Sequence, residues 1–543
     1  MLSLLGFIII LGPLVIVHEF GHYVFARLFG VKAEVFSVGF GPKLWKRQCG
    51  ETELRVSAIP LGGYVKLLGE DRDAELSPEE QKRALHRQAP WKRFLIFFGG
   101  PLFNFLLAIV VFMMILAIGE PKVANVVGRV VQGSAAEKAG FRSGDEILSV
   151  NGKPIKGFEE ILTVVNESPG KPVQFELKHP GASETVSISA TPTAESGFTL
   201  YGELTRVGEI DGLYVNPRAA VIGISDPSSP AAKAGLTTGD LITAIDDKPV
   251  GSWEQLEAIY SAAPVGATLK FKIKKVKTSA LVEAAFVKPA DSLLSLGDVL
   301  GLRSSELFVE KPVAQSPAEN AGVQAGDRLI GIGDKHVQSF FELKDRVQKS
   351  GETEGKIRLL FERGGKTQAI TITPTATPVR DPLLKKTTQY TIGVVPMLLL
   401  SEPATFVERV WNPFALVYQG TERVVTFTWR NLVSIRKMFT GDVSVATLGG
   451  PIMIGKIAGE SLSRGLTAFL ATMAILSIGL GVLNILPVPV LDGGHLLLLA
   501  IETVRGKPLT IRTMEIIQLV GLSLILLLMI VVIKNDIARL SYF

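Results

Sequence analysis

Four long apolar runs, at positions 2–26, 94–118, 466–486 and 516–533, constrain this chain more than any other feature. Crossing a bilayer takes ~20 residues, and a backbone in hydrocarbon must satisfy its own hydrogen bonds, so helices are the expected form. A mean hydropathy of +0.33 over 543 residues, with 20% charged side chains, agrees with spans joined to folded domains. The first run has no charged side chain before Glu19 and no basic one before Arg27, so it reads as a retained span and not a cleaved leader. A fifth segment, 406–439, is broken by Arg409, Glu422, Arg423, Arg430, Arg436 and Lys437. It reads as an amphipathic helix at the membrane interface.

Basic residues set the orientation. The loop between the first two runs carries Arg27, Lys32, Lys43, Lys46 and Arg47 and continues basic to Lys92 and Arg93; the loop between the last two carries Arg505, Lys507 and Arg512. Positive-inside weighting places both in the cytoplasm and puts the termini and the region 120–400 on the other side. For a bacterial inner membrane that side is the periplasm. The net charge of +5 is too mild for a nucleic-acid partner, and the single Cys49 excludes an internal disulfide framework.

The central region repeats. Ser134 opens SAAEKAGFRSGDEILSVNGKPI, Ser229 opens SPAAKAGLTTGDLITAIDDKPV, and Ser316 opens SPAENAGVQAGDRLIGIGDKHV, at offsets of 95 and 87 residues. That period is the size of a small domain. Each copy reads as a short helix stopped at a glycine (Gly140, Gly235, Gly322), a Gly-Asp turn (Asp145, Asp240, Asp327), a strand, and then an amphipathic helix. Three such copies in register resemble bacterial PDZ domains of the HtrA type. The resemblance implies a groove in which a peptide C-terminus adds as an extra strand.

Chemistry enters in the first run, as His18, Glu19, Phe20, Gly21 and His22. Positions i and i+4 share a helix face, so both imidazoles can ligate one ion, and the intervening Glu19 is placed to take a proton from the attacking water. The chain has six histidines, and two of them with a glutamate in a membrane span are costly unless partnered. Neutral imidazole suits zinc, and a catalytic zinc takes a third protein ligand. Asp492, in NILPVPVLDGGH just after the third run, is the candidate, because the first and third runs both head for the cytoplasm. His18 is nine residues from Arg27, ~13 Å along a helix, so the two motifs meet just inside the cytoplasmic face. His495 is a rival ligand, ranked behind Asp492 as a supporting residue.

An HExxH pair in a first span, NxxPxPxLDG at a later one and PDZ-like domains between them resemble the bacterial site-2 proteases of the RseP type. The likeness covers nearly the whole chain. It implies one zinc per chain held by His18, His22 and Asp492, Glu19 as general base, and Asn484, Pro487 and Pro489 shaping the substrate channel, with Asn484 bonding the unwound substrate backbone. The motif FGGPLFN (Gly99, Gly100, Pro101, Asn104) also matches the family, and its small residues permit close helix contact. The implied substrates are single-span membrane proteins: an anti-sigma factor already cut on its periplasmic side, and remnant signal peptides. The family members known best carry one or two PDZ domains, whereas this chain repeats the unit three times.

The expected architecture is a polytopic α-helical membrane protein with four transmembrane helices and three periplasmic PDZ-like α+β domains inserted between the second and third spans. The bounds are 1–120 for the first membrane half, 121–195, 212–290 and 297–376 for the PDZ-like domains, 377–440 for a linker and interfacial helix, and 441–543 for the second membrane half. Residues 53–59 and 62–67 read as the two strands of a cytoplasmic β-hairpin. Tyr64 and Val65 lie on the strand whose edge holds substrate extended. A scaffold with a dead protease core is disfavoured because all three ligands and Glu19 are present. A transporter is disfavoured because the spans form no inverted repeat.

Overall fold

The computed structural model describes residues 2–70, 75–198, 204–289, 295–380, 386–443 and 448–540. It has two compact units, one built from the chain's ends (1–121 and 407–543) and one from its middle.

In the first unit the apolar runs form helices Leu2–Leu28, Pro90–Ile118, Leu466–Ile485 and Ile511–Leu540. All four are long and apolar enough to cross a membrane. The first and second cross at glycines: a Cβ on Gly21 would lie 2.6 Å from the carbonyl carbon of Gly99, so neither position tolerates a side chain without the helices parting. Ala108, Val111, Phe112 and Ile115 of the second helix pack on Ala474, Ile478 and Val482 of the third. Helix Pro413–Thr440 joins this core through Val424, with Phe427 stacked 5.9 Å from Phe112. Its other side exposes the large apolar side chains Phe414, Tyr418, Val425 and Trp429. A further helix, Pro451–Ser463, lies against the first with Ala458 over Gly6. Its start is capped from the fourth helix, where buried Asp536 accepts the N–H groups of Gly450 (2.8 Å), Ile452 (3.0 Å) and Met453 (3.2 Å).

Between the first two helices, strands Ala33–Cys49 and Thr52–Leu67 form a curled sheet. The expected hairpin between 53–59 and 62–67 is not what pairs. Both segments flank the same residues: Val35, Phe36, Ser37 and Val38 match Lys66, Val65, Tyr64 and Gly63 on one side, and Glu53, Leu54, Arg55 and Val56 on the other. Gly39 and Gly41, at φ +88° and +86°, turn the first strand so that its second half returns along the second strand, Lys46 facing Arg55 and Gln48 facing Glu53. Residues 63–67 are thereby left on an edge of the sheet.

The second unit holds three copies of one topology. Each has a four-stranded sheet in the same order and a helix, Phe158–Asn166, Trp253–Ala262 or Phe340–Thr353, over its own apolar core. The aspartates of the Gly-Asp turns are buried and each accepts a backbone N–H three residues back, from Arg142, Thr237 and Gln324. Each also meets one basic side chain: His179 at 2.7 Å, Lys275 at 2.6 Å, Arg363 at 2.6 Å. Burial pushes the Asp145 carboxyl up, and His179 pulls against that rise. Every copy is closed by a short strand at its far end, Leu213–Tyr214 on Arg129–Val130, Arg303–Ser304 on Ile222–Gly223, and Val394–Pro396 on Val309–Pro312. Each closing strand lies past the end of its own copy's expected range, 121–195, 212–290 or 297–376.

The copies meet at a buried carboxylate. Glu306, 2% exposed, accepts from Arg129 Nη1 (2.9 Å) and the Phe340 N–H (3.0 Å), with Arg218 Nη1 at 3.5 Å. The Arg129 guanidinium lies over the rings of Tyr214 (4.6 Å) and Phe341 (5.9 Å). Removing one partner of such a pair strands the other charge, at a cost of about 3–5 kcal/mol. Glu306→Leu should therefore lower the opening free energy of helix Phe340–Thr353 by that amount, measured by hydrogen exchange on the full chain, with Arg129→Met/Glu306→Leu recovering part of it.

Candidate metal centre

His18 and His22 sit one turn apart on the first helix, on the side facing the second. Gly100 makes room for them: a Cβ there would lie 2.7 Å from Cε1 of both rings. The third helix stops at Ile485, and residues 486–491 fold back over the start of helix Asp492–Arg505. A Cβ on Gly494 would lie 2.8 Å from Pro489 Cα, so only glycine permits that approach. Val490 takes φ +84°, a left-handed conformation that costs a β-branched residue of order 1–3 kcal/mol. That turn leads into Asp492, the first residue of its helix. The Asp492 carboxylate faces the two imidazoles.

Four candidate ligand atoms cluster here, the two imidazole Nε2 atoms and both carboxylate oxygens of Asp492. Nε2 of His18 and Nε2 of His22 are 3.3 Å apart, Asp492 Oδ2 is 3.2 Å from the first, and Asp492 Oδ1 is 3.4 Å from the second. A tetrahedral zinc with ligand bonds of ~2.0–2.1 Å separates neighbouring ligand atoms by about 3.3 Å. Asp492 Oδ2 is also buried without a hydrogen-bond partner among the described residues, a costly state for a carboxylate oxygen unless a cation answers it. Two imidazoles and one carboxylate at these separations fit a zinc ion, and they are the described residues that converge in this way.

Of the other expected site residues, Asn484 lies against His18, and the rest lie on segments next to Glu19 or before Asp492. Glu19 lies beside the edge segment of the curled sheet, where a Cβ on Gly63 would meet its Cγ at 3.2 Å. Tyr64 and Val65 follow on that segment; the Tyr64 hydroxyl accepts from Arg55 Nη1 at 3.0 Å and its ring stacks on Phe40. Asn484 Nδ2 reaches within 3.4 Å of His18 Nε2. Pro487 and Pro489 lie in the fold-back before Asp492, and a Cβ on Gly521 of the fourth helix would lie 2.5 Å from the Pro489 carbonyl oxygen. His495 is not in the cluster; its ring stacks on Phe97 at 5.0 Å.

The far sides of the imidazoles carry partners that spacing does not assign. His22 Nδ1–H donates to the Ile96 carbonyl at 2.8 Å, and His18 Nδ1 lies 3.0 Å from the carboxamide of Asn104, which is fully buried. Arg93 and Glu502 pair at 3.2 Å, tying the second helix to the helix that begins with Asp492. The signal for Asn104 was present as a polar residue inside an apolar run. A backbone acceptor such as Ile96 leaves no trace in sequence.

Apolar helices enclosing an HExxH pair and a distant aspartate define a membrane metalloprotease. The Peptidase family M50 model matches residues 6–528, and the chain belongs to that family. A putative zinc metalloprotease of Neisseria meningitidis is 32% identical over 99% of both chains, and one from Pasteurella multocida is 28% identical over the same shares. The Regulator of sigma-E protease RseP of Salmonella typhimurium is 30% identical, again over 99% of both. The chain is a zinc metalloprotease of the site-2 type. A solved PDZ domain protein from Parabacteroides distasonis aligns with 49% of the chain at 12% identity, and its TM-score of 0.12 is too low to bear on the fold.

The geometry predicts how zinc content divides among variants. Asp492→Ala should lose most bound zinc, at least a tenfold drop in affinity by chelator competition. His495→Ala and Glu19→Gln should keep it within about threefold of the parent chain. Full zinc in Asp492→Ala would remove that residue from the ligand set.

Proposed function

We propose that this chain is an intramembrane endopeptidase that cuts single-span membrane proteins within or near the bilayer, using one zinc held by His18, His22 and Asp492. The carrying observation is the convergence of two imidazole nitrogens and the Asp492 carboxylate at separations of 3.2–3.4 Å, with both histidines on a helix apolar enough to span. The metal supplies Lewis acidity at the scissile carbonyl. Glu19 takes the proton of the attacking water and returns it to the leaving amine, a general base positioned one residue from a ligand.

A helical substrate hides its carbonyls in its own hydrogen bonds, so cleavage requires local unwinding. The edge at Tyr64 and Val65, next to Glu19, offers backbone groups to which an unwound segment adds as a strand. Asn484 then holds the extended backbone, and Pro487 and Pro489 shape the channel without donating N–H groups of their own. The amphipathic helix Pro413–Thr440 lies at the interface and lines the entry side.

The name carried by the Salmonella relative, together with the motifs, supports an anti-sigma factor as substrate, already trimmed by a first periplasmic cut, and remnant signal peptides as a second class. The protein then sits in a bacterial inner membrane in a stress-response pathway, with its basic loops cytoplasmic. The three repeated domains are PDZ-like and, with the termini, periplasmic. On that topology they lie across the membrane from the active site, so they act on access and not on chemistry. One groove suffices to recruit a peptide C-terminus, whereas three linked domains enlarge an obstacle, which favours a size-excluding gate.

The test deletes residues 121–375, bridges the ends with a flexible linker, and follows trimmed and untrimmed reporters in proteoliposomes, with Glu19→Gln as the inactive control. Faster cutting of the untrimmed reporter, with the trimmed one unchanged, is the expected result. Loss of cutting for both would establish recruitment and overturn the gate. Undiminished cutting by Glu19→Gln would overturn the protease assignment of that residue.

A further inference from the structure

The Nδ1 partners of the two histidines differ in kind. His22 has a main-chain carbonyl, fixed by helix geometry, whereas His18 has a side chain, Asn104, that substitution can change. Asn104 has 0% exposure, and its own backbone carbonyl accepts from buried Ser477 at 2.8 Å, which pins the second helix to the third at that level. The Asn104 carboxamide oxygen has no hydrogen-bond partner while the amide nitrogen faces His18 Nδ1. Carboxamide O and N are assigned from their bonds and not seen as such, and turning the group over lets the oxygen accept from Nδ1–H. That is the arrangement a ligating imidazole requires, because a proton on Nδ1 leaves Nε2 with the lone pair aimed at the cluster.

We infer that Asn104 is a positioning residue of the metal centre: its carboxamide oxygen accepts from His18 Nδ1–H and so fixes the tautomer and ring angle that turn Nε2 toward the ion. The inference rests on the zinc reading of His18, His22 and Asp492. The choice of an amide has a physical reason. Zinc carries two positive charges, and Asp492 and Glu19 together carry two negative ones, so the cluster is neutral inside a low-dielectric bundle. A carboxylate behind His18 would add an uncompensated charge there. An amide oxygen gives the same acceptor without the charge. Asn104 thus separates orientation of the ligand, which it supplies, from charge balance, which it leaves undisturbed.

The experiment measures zinc affinity by chelator competition and the visible absorption of the cobalt-substituted full chain, for Asn104→Leu, Asn104→Asp and His18→Ala. Asn104→Leu keeps the shape and removes the acceptor; its zinc affinity should fall 10- to 100-fold, with an altered cobalt spectrum. Asn104→Asp keeps the acceptor, and the charge it adds attracts the dication even as it unbalances the empty site, so zinc affinity should fall no more than about threefold below the parent. Asn104→Leu binding zinc as the parent does would overturn the inference, as would equal losses in Asn104→Leu and Asn104→Asp, since those mark a packing role. Where Asn104→Leu does not accumulate folded, Asn104→Ser, whose shorter side chain withdraws from Nδ1, takes its place with the same reading. His18→Ala tests the underlying assignment separately: zinc retained at parental affinity there removes His18 from the ligand set, whatever Asn104 does.

Discussion

Two imidazoles and a carboxylate lie packed among apolar helices, where burying a charged group is costly unless it is answered. The carboxylate is anionic, its Oδ2 has no hydrogen-bond partner among the described residues, and water is scarce where it sits. On the proposed reading a cation taken by all three turns an unfavourable cluster into a strongly bound one, and much of the first unit packs around that cluster. Gly21 and Gly99 let the first two helices approach until the histidines face Asn104 and Ile96. The strained turn at Val490 and the glycines after Asp492 bring a third element back toward them. The Arg93–Glu502 pair and the Asp536 cap fix the remaining helices around that arrangement. Substituting bulk at the glycine crossing would therefore act on the metal centre as directly as substituting a ligand.

The same constraint explains where the sheet runs. On the proposed reading a protease acting on helical substrates needs extended backbone next to Glu19, and an open sheet edge inside a helical bundle is otherwise a liability. Here residues 63–67 pair on one side only and pass beside Glu19. The hydrophobic runs determine that there is a bundle; the glycines at 39 and 41 determine that a strand edge reaches its centre.

Much of this was legible in the sequence, for identifiable reasons. The four long helices follow from hydropathy over ~20 residues, a signal few other structures imitate. His18 and His22 follow from helical spacing, and Asp492 from the direction of the spans. The three repeats announce themselves by register. What was missed is non-local. Segments 53–59 and 62–67 each alternate like hairpin strands, yet their partner is chosen by a bend upstream. The closing strands of the repeats are two or three residues long and have no periodicity to detect. Helix Pro451–Ser463 is too short to register as a span, and its cap, Asp536, is 84 residues from Ile452. Asn104 was visible only as a member of a motif, because its bond to His18 exists only once two helices have crossed.

The proposed chemistry requires one zinc held between His18, His22 and Asp492. Anomalous diffraction from crystals of the full chain, collected on both sides of the zinc absorption edge, tests it without reference to activity. A single strong peak ~2.0–2.1 Å from both Nε2 atoms and from one Asp492 oxygen is the expected result. A zinc peak elsewhere in the chain, or a metal bound through His495 in place of Asp492, would contradict it.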